Sequence, residues 1–266
     1  MSLNRQIESS VPPHVSIRLQ GPLLARAEDH PSGDFIPPHT HDSDQLVHAS
    51  SGVMTVETQD GFWVVPTQRA VWVPANIVHS IRMTGAVKLR TLYVDHRIAA
   101  IPGDGCCVVQ VSTLLHAAIL RAIDFDSPFE SLGREARLVG VILDEIRAAK
   151  SAALHLPFPK DARARRVAEH VQQNLSDRRP IAELARAAGT SERTLERLFS
   201  REVGMTFGVW RRQARLLGAL ERLASGESVT SAAFEVGFET PSSFIAMFKR
   251  AMGTSPARYF RAPLES

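Results

Sequence analysis

The sequence predicts an α+β chain of more than one domain: a strand-rich N-terminal barrel or sandwich, amphipathic helices, and an all-α C-terminal region. Three observations carry this prediction. Residues 14–100 are rich in Val, Ile, Trp and Thr and are broken by Pro-Pro, Ser-Gly and Asp-Gly turns. Between about Ser112 and Leu156 the apolar residues recur with a helical period. Further on, Ala185-x3-Gly189 returns 48 residues later as Ala233-x3-Gly237. In each copy a short apolar helix ends at a glycine and a second helix follows almost at once, the sequence form of a helix-turn-helix.

The totals agree. A chain of 266 residues allows about two domains with buried cores. At 44% hydrophobic and 22% charged it has an ordinary globular composition. No apolar run approaches the ~18 residues of a membrane span, and the polar Met1–Val11 stretch has no signal core. A cytoplasmic location with no membrane partner is expected. The adjacent Cys106 and Cys107 would close only a strained ring, so they read as idle thiols or as a redox or soft-metal sensor. Charge is uneven. From Lys160 onward there are 18 basic and 12 acidic residues, against 13 and 16 before it. The repeat therefore lies in the basic part, as suits a phosphate-binding module.

In chain order, Val53–Thr58, the turn Gln59-Asp60-Gly61 and Phe62–Val65 read as a hairpin. Val71–Val73 and Val87–Val94 read as further strands. Strands so short and close together suit a barrel or sandwich. In the segment 110–156, Leu114, Leu115, Ala118, Ile119 and Ala122 form one amphipathic run. Leu138, Val141, Ile142, Ile146 and Ala149 form another, interrupted by Glu145. These helices pack on the barrel or form a dimer interface. Leu156-Pro157-Phe158-Pro159 breaks the helix and marks a linker at 157–160.

The basic module spans 161–261. Val167, His170, Val171 and Leu175 line its opening helix. The first helix-turn-helix, about 181–202, has Gly189 at a turn that needs positive φ. Ala185 is small where the next helix crosses, and Leu195, Leu198 and Phe199 are the anchors. Its outer face carries Ser191, Glu192, Arg193, Thr194, Glu196, Arg197 and Arg201. Phe207–Ala224 reads as one helix of roughly 27 Å, able to hold two reading heads about one DNA turn, ~34 Å, apart. In the second unit, about 229–252, Ser228 caps one helix and Thr240-Pro241 starts the next. Phe244, Phe248 and Met252 anchor it, and its turn is one residue longer.

The pattern Ile181-x2-Leu184-Ala185-x3-Gly189, Leu195-x2-Leu198-Phe199, Val236-Gly237-Phe238, Phe244-x3-Phe248-Lys249, Gly253-x2-Pro256 and Tyr259 resembles the AraC/XylS family of bacterial regulators. The resemblance implies two helix-turn-helix units entering successive major grooves of promoter DNA. It places base readers at Arg193, Glu196 and Arg197, with Ser191 and Thr194 near the backbone. Arginine pairs with guanine and glutamate accepts from cytosine. The matching face of the second unit offers Pro241, Ser242, Ser243, Ile245 and Ala246 where relatives carry Gln or Arg. The first helix is thus expected to discriminate bases. The second positions the module through Ser242, Ser243, Lys249 and Arg250.

Pro38-His39-Thr40-His41-x3-Gln45-x6-Gly52 and Pro74-Ala75-Asn76-x2-His79 form the other dense pattern. Histidines at i and i+2 on a strand share a face, and a third can complete a three-nitrogen site. These segments resemble the two cupin motifs, which implies a cupin-like barrel. His39, His41, Gln45 and His79 fall at its ligand positions for a divalent metal (Zn, Ni, Fe or Mn). Gln45 stands where metal-binding cupins usually have glutamate, and Asn76 replaces a glycine. Either a metal binds, or the histidines hydrogen-bond within an effector pocket to which Trp63 and Trp72 also contribute. His14, His30, His48, His96, His116, His155 and His170 belong to no constellation.

The reading is a one-component transcriptional regulator, activator or repressor, not an enzyme. A small-molecule effector binds the cupin-like domain, and DNA and RNA polymerase are the partners of a homodimer. The alternative is a metal-dependent cupin enzyme, an oxygenase or isomerase, carrying a DNA-binding domain.

Overall fold

The computed structural model describes residues 13–19, 21–98, 105–125, 133–152 and 154–260. Met1–Val11 lies outside them. The chain begins with β1 (His14–Val15), β2 (Leu23–His30), β3 (Phe35–His41), β4 (Asp44–Thr58), β5 (Gly61–Pro66), β6 (Arg69–Val73) and β7 (His79–Val94). Two long strands organise the rest. β4 and β7 pair antiparallel from Asp44↔Val94 to Glu57↔Ser80. The other edge of β4 takes β6 along its first half and β5 along its second. The other edge of β7 takes β3 and then β2.

The change of partner needs a bend, and β4 makes it where its register shifts between Ala49 and Val53. Gly52 sits there at φ +78°, and a Cβ on it would stand 2.7 Å from the Ala86 carbonyl oxygen. Only glycine meets both conditions. The bend folds the sheet on itself and encloses an interior. Strand alternation then sorts β4: Val47 and Ala49 join the interior cluster, while Leu46 joins an outer one.

The outer cluster is covered by α1 (Thr113–Ile123) and α2 (Arg134–Ala148), which follow β8 (Cys107–Gln110). Leu115, Ala118 and Ile119 of α1 are buried, as the helical period requires, whereas Leu114 is 56% exposed. On α2 the buried residues are Val139, Ile142, Leu143 and Ile146, and Val141 is exposed. Leu138 and Ala149 pack at the edge of this cluster as expected, and of the expected residues Val141 leaves the face, with Val139 and Leu143 joining it. Glu145, the charged interruption, accepts from Ser112 Oγ at the α1 cap.

The segment 110–156 is not wholly helical. It closes with β9 (Ser151–Ala152) and β10 (His155–Pro157). β10 pairs with β5, Leu156 opposite Phe62. The expected linker therefore starts inside the sheet, because the open edge of β5 offers backbone partners that a free connector would leave to water.

The C-terminal region is helical throughout: α3 (Ala162–Gln173), α4 (Ile181–Ala187), α5 (Glu192–Glu202), α6 (Phe207–Ala224), α7 (Val229–Glu235), α8 (Pro241–Met252) and α9 (Pro256–Tyr259). Asp161, Ser191, Thr206, Ser228 and Thr240 each accept a hydrogen bond from a first-turn N–H. Such caps contribute about 1 kcal/mol apiece. Gly189 and Gly237 adopt φ +72° and +86° at the two turns. At Gly237 a Cβ would also meet Arg215 Nη2 and the Leu175 carbonyl at 2.8 Å. Helix α6 is central: Trp210, Leu217 and Leu220 are buried in a core shared with the barrel interior. The same helix docks on the barrel. Trp210 Nε1 donates to the Pro157 carbonyl at 2.7 Å, Gln213 donates to the His155 carbonyl, and Thr55 donates to Glu221. No helix among the described residues is long and apolar enough to cross a membrane.

Candidate functional site

Two places concentrate chemistry: the outer faces of α5 and α8, and the barrel interior. On α5, the inward residues Leu195, Leu198 and Phe199 are buried, which leaves Arg193 and Arg197 pointing out. Both are exposed, and among the described residues neither makes a hydrogen bond or ion pair. Two unpaired guanidinium groups one turn apart can each fork onto a guanine or a phosphate. The other expected readers are engaged. Glu196 accepts from Phe207 N at 3.3 Å and so holds the start of α6. Arg201 pairs with Glu202 at 3.0 Å. Ser191 caps the helix and donates to Thr194 Oγ1.

On α8, Phe244 and Phe248 are buried while Ser242, Ser243, Ile245, Ala246, Lys249 and Arg250 are exposed. The Ser243 hydroxyl is spent on the Thr240 carbonyl at 2.8 Å. Lys249 and Arg250 have no internal partner among the described residues. The two recognition helices thus differ chemically: the first presents free arginines at its centre, the second small residues followed by cations at its end. Arg215 of α6 ties that helix to the connection between α3 and α4, donating to the Leu175 and Asp177 carbonyls at 3.1 and 3.0 Å.

In the barrel, β3, β4 and β7 bring His39, His41, Gln45 and His79 together. The ligand nitrogens of His39, His41 and His79 lie within 4.8 Å of one another. Each ring is oriented by a carbonyl that can only accept: Nδ1 of His39 meets Pro37 O at 2.9 Å, that of His41 Ser43 O at 2.6 Å, and that of His79 Ile77 O at 2.9 Å. The proton therefore sits on Nδ1, and Nε2 carries a lone pair. Burial holds His41 below the usual imidazole range and pushes His79 down to about 3. Gln45 Oε1 lies 3.0 Å from Nε2 of both His41 and His79. Lone pairs thus converge with no proton between them. A cation among them satisfies the group; so does the amide turned end for end, its NH2 donating to both rings.

A cavity of about 310 Å³ opens beside this cluster. It is walled by His39, His41, Gln45, Ile36 and Ile81, and by Arg26, Glu28 and Tyr93, which the sequence reading missed. Arg26 lies 5.6 Å from the Tyr93 ring centre and has no ion-pair partner among the described residues. The β2 signal that would have found it is weak, since that strand shows no apolar alternation: Arg26, Ala27, Glu28 and Asp29 are exposed in succession. Trp63 and Trp72 do not line the cavity. Trp63 stacks on His155 at 4.3 Å, and Trp72, opposite Leu46, faces the outer cluster.

Two of the histidines read as isolated form a buried pair. His48 Nδ1 meets the Arg69 carbonyl, and its Nε2 lies 3.0 Å from His116 Nδ1. The carbonyl accepts the His48 proton, so His116 donates to His48. His48 alternates with Gln45 and Val47 on β4 and therefore faces α1. Their separation of 68 residues hides the pair from a sequence scan. Burial pushes the Cys106 thiol up to about 12 and raises that of Cys107, which makes both poor nucleophiles at neutral pH.

A family model described as helix-turn-helix domain matches residues 184–262, and one described as AraC-like ligand binding domain matches 21–142. The chain is 31% identical over 223 residues to the HTH-type transcriptional regulator NimR of Escherichia coli K12, covering 84% of this chain and 81% of NimR. It is 35% identical over 103 residues to the HTH-type transcriptional regulator RipA of Corynebacterium glutamicum, covering 39% of this chain and 31% of RipA. Among solved structures, ToxT from Vibrio cholerae O395 aligns with a TM-score of 0.39 at 11% identity, over 90% of this chain and 97% of that one.

Proposed function

The chain belongs to the AraC family of HTH-type transcriptional regulators, and from that premise we propose how its parts divide the work. It carries a DNA-binding domain and a ligand-binding domain, and is a regulator rather than an enzyme. The DNA-binding unit occupies 161–261 and the effector barrel 14–100 with its later strands. Helix α5 reads bases through Arg193 and Arg197. Helix α8 fixes register on the backbone through Ser242, Lys249 and Arg250, with Ile245 and Ala246 against thymine methyl groups. The observation that carries this is the unpaired, exposed state of the two α5 arginines beside the small-residue face of α8.

The effector enters the cavity beside the histidine cluster, where Arg26 and Tyr93 offer polar contacts within an apolar wall. His39, His41 and His79, with Gln45, are the residues that would hold a divalent metal there. The donor set fits, since three oriented imidazole lone pairs and an amide oxygen converge. Such an ion would supply a Lewis-acid contact for an oxygen of the effector. Leu114, Leu120 and Val141, exposed on α1 and α2, suit a homodimer interface. The regulator works in the cytoplasm, where it meets RNA polymerase at the promoter. Effector binding shifts promoter occupancy only to the extent that it favours one arrangement of the two domains over another.

Footprinting of the full chain on genomic fragments tests the reading. It should protect a defined site, and log K should fall with log salt by ~0.9 per neutralised phosphate. A salt slope near zero would remove the phosphate-binding role.

A further inference from the structure

β2 lies at an edge of the sheet. Its residues Leu23–His30 all pair with β7, and among the described residues no other strand joins it. Outside β7, its backbone there makes one bond, from Arg90 Nη1 to the Glu28 carbonyl at 3.3 Å. In an antiparallel ladder every second residue turns its N–H and C=O away from the neighbouring strand. The outward row on β2 is therefore a template for one more strand. Its middle is open, since Arg26, Ala27, Glu28 and Asp29 are exposed in succession.

Side chains two apart on a strand share a face, and Arg26 and Glu28 share the one that lines the histidine-bordered cavity. Neither is well matched within the chain. Among the described residues Arg26 has no ion-pair partner, and the Glu28 carboxylate meets only the His30 ring, at 3.4 Å. A cation and a carboxylate placed symmetrically about a small residue are complementary to the same three residues run backwards.

Few registers let a second copy use this. A twofold axis through the sheet keeps the cavity faces of both copies on one side, so one residue must lie opposite itself. Pairing centred on Arg26 sets arginine against arginine, and pairing centred on Glu28 sets glutamate against glutamate. Like charges directly opposite each other are destabilising. Pairing centred on Ala27 sets Arg26 against Glu28 twice, with two methyl groups at the axis.

We propose, resting on the homodimer reading, that β2 pairs antiparallel with β2 of a second copy, centred on Ala27, and joins two barrels in one sheet. Backbone hydrogen bonds carry the association, and the exposed charges choose the register rather than supply much affinity. Helix α1, with Leu114 and Leu120 exposed, packs against β2, so the strand edge extends the helical dimer surface. The pairing also brings Glu28 of the second copy to Arg26 at the cavity wall. Each effector site is then completed across the axis, which links effector binding to dimerisation.

Sedimentation equilibrium of the full chain tests this. The wild type should dimerise. Arg26→Glu and Glu28→Arg should each weaken the dimer roughly tenfold or more, because each sets like charges opposite at two places. The double variant restores both pairs with their signs exchanged, and should return the dimer to within about threefold of wild type. Both residues are exposed, so the variants should keep the wild-type melting curve. Ala27→Cys should cross-link to a second copy on oxidation more than the wild type does, since directly opposite residues lie about 4.5–5.5 Å apart, within disulfide reach. Leu120→Asp tests the helices separately. A double variant that does not recover, or an Ala27→Cys that adds no cross-link, overturns this pairing. Loss of the dimer through Leu120→Asp alone overturns it too, and leaves the homodimer reading on the helices intact. A monomeric wild type overturns both, leaving the edge to a strand of another protein.

Discussion

Trp210, in the first turn of the helix that joins the two DNA-binding units, donates its indole N–H to the carbonyl of Pro157 in the last barrel strand, at 2.7 Å. The indole is fully buried, and this bond ties the DNA-binding region to the ligand-binding region. Trp210→Phe keeps most of the ring and removes the donor, leaving the carbonyl unsatisfied. It should cost about 1–3 kcal/mol in urea unfolding and loosen the coupling between the two halves. A variant unfolding at the wild-type midpoint would show that the bond contributes nothing to docking.

The recognition helices should respond unequally. Arg193→Ala and Arg197→Ala should each lose ~1–3 kcal/mol of preference for the operator over a scrambled site. Glu196→Ala should instead lower stability by about 1 kcal/mol, because its carboxylate caps α6, with base preference intact. Competition binding on both DNAs separates the two. Equal loss on both by the arginine variants would make them phosphate contacts, and altered base choice by Glu196→Ala would restore that residue to the reading face.

The histidine cluster predicts a metal. Tag-free protein purified over chelator-stripped columns should carry close to one equivalent of a divalent ion by elemental analysis. His79→Gln should lose it, and Gln45→Glu should hold it more tightly, since a carboxylate adds the charge an amide lacks. Less than about a tenth of an equivalent in the wild type would leave the inverted Gln45 amide as the group that joins the rings.

The His48–His116 pair predicts acid sensitivity. Burial, opposed by the bond to the Arg69 carbonyl, holds His48 at about 4, below its ordinary 6.5. A depressed histidine stabilises the fold fully above 6.5. As pH falls from there toward 4, the unfolded chain takes up a proton that the folded chain does not, and stability is lost. Denaturation midpoints should therefore fall across that window, and less steeply in His48→Gln. Parallel curves for the two proteins would assign the acid sensitivity to other groups.

Much of the molecule was legible in the chain itself. The Gly189 and Gly237 turns, the length of the connecting helix and the caps at Ser228 and Thr240 depend on neighbours within a few residues, and local chemistry is written in order along the sequence. His39 and His41 were legible too, because strand alternation sends i and i+2 to one side, and Gln45 and His79 were legible through the resemblance to the cupin motifs. Tertiary structure alone decided the rest. It placed Trp63 and Trp72 away from the cavity, put Arg26 and Tyr93 into it, drew 155–157 into the sheet, turned Glu196 onto α6, and joined His48 to His116. Each is a relation between residues distant in sequence, set by which face a strand presents once its neighbours are packed. Periodicity shows that a face exists, but the packed fold determines what lies against it.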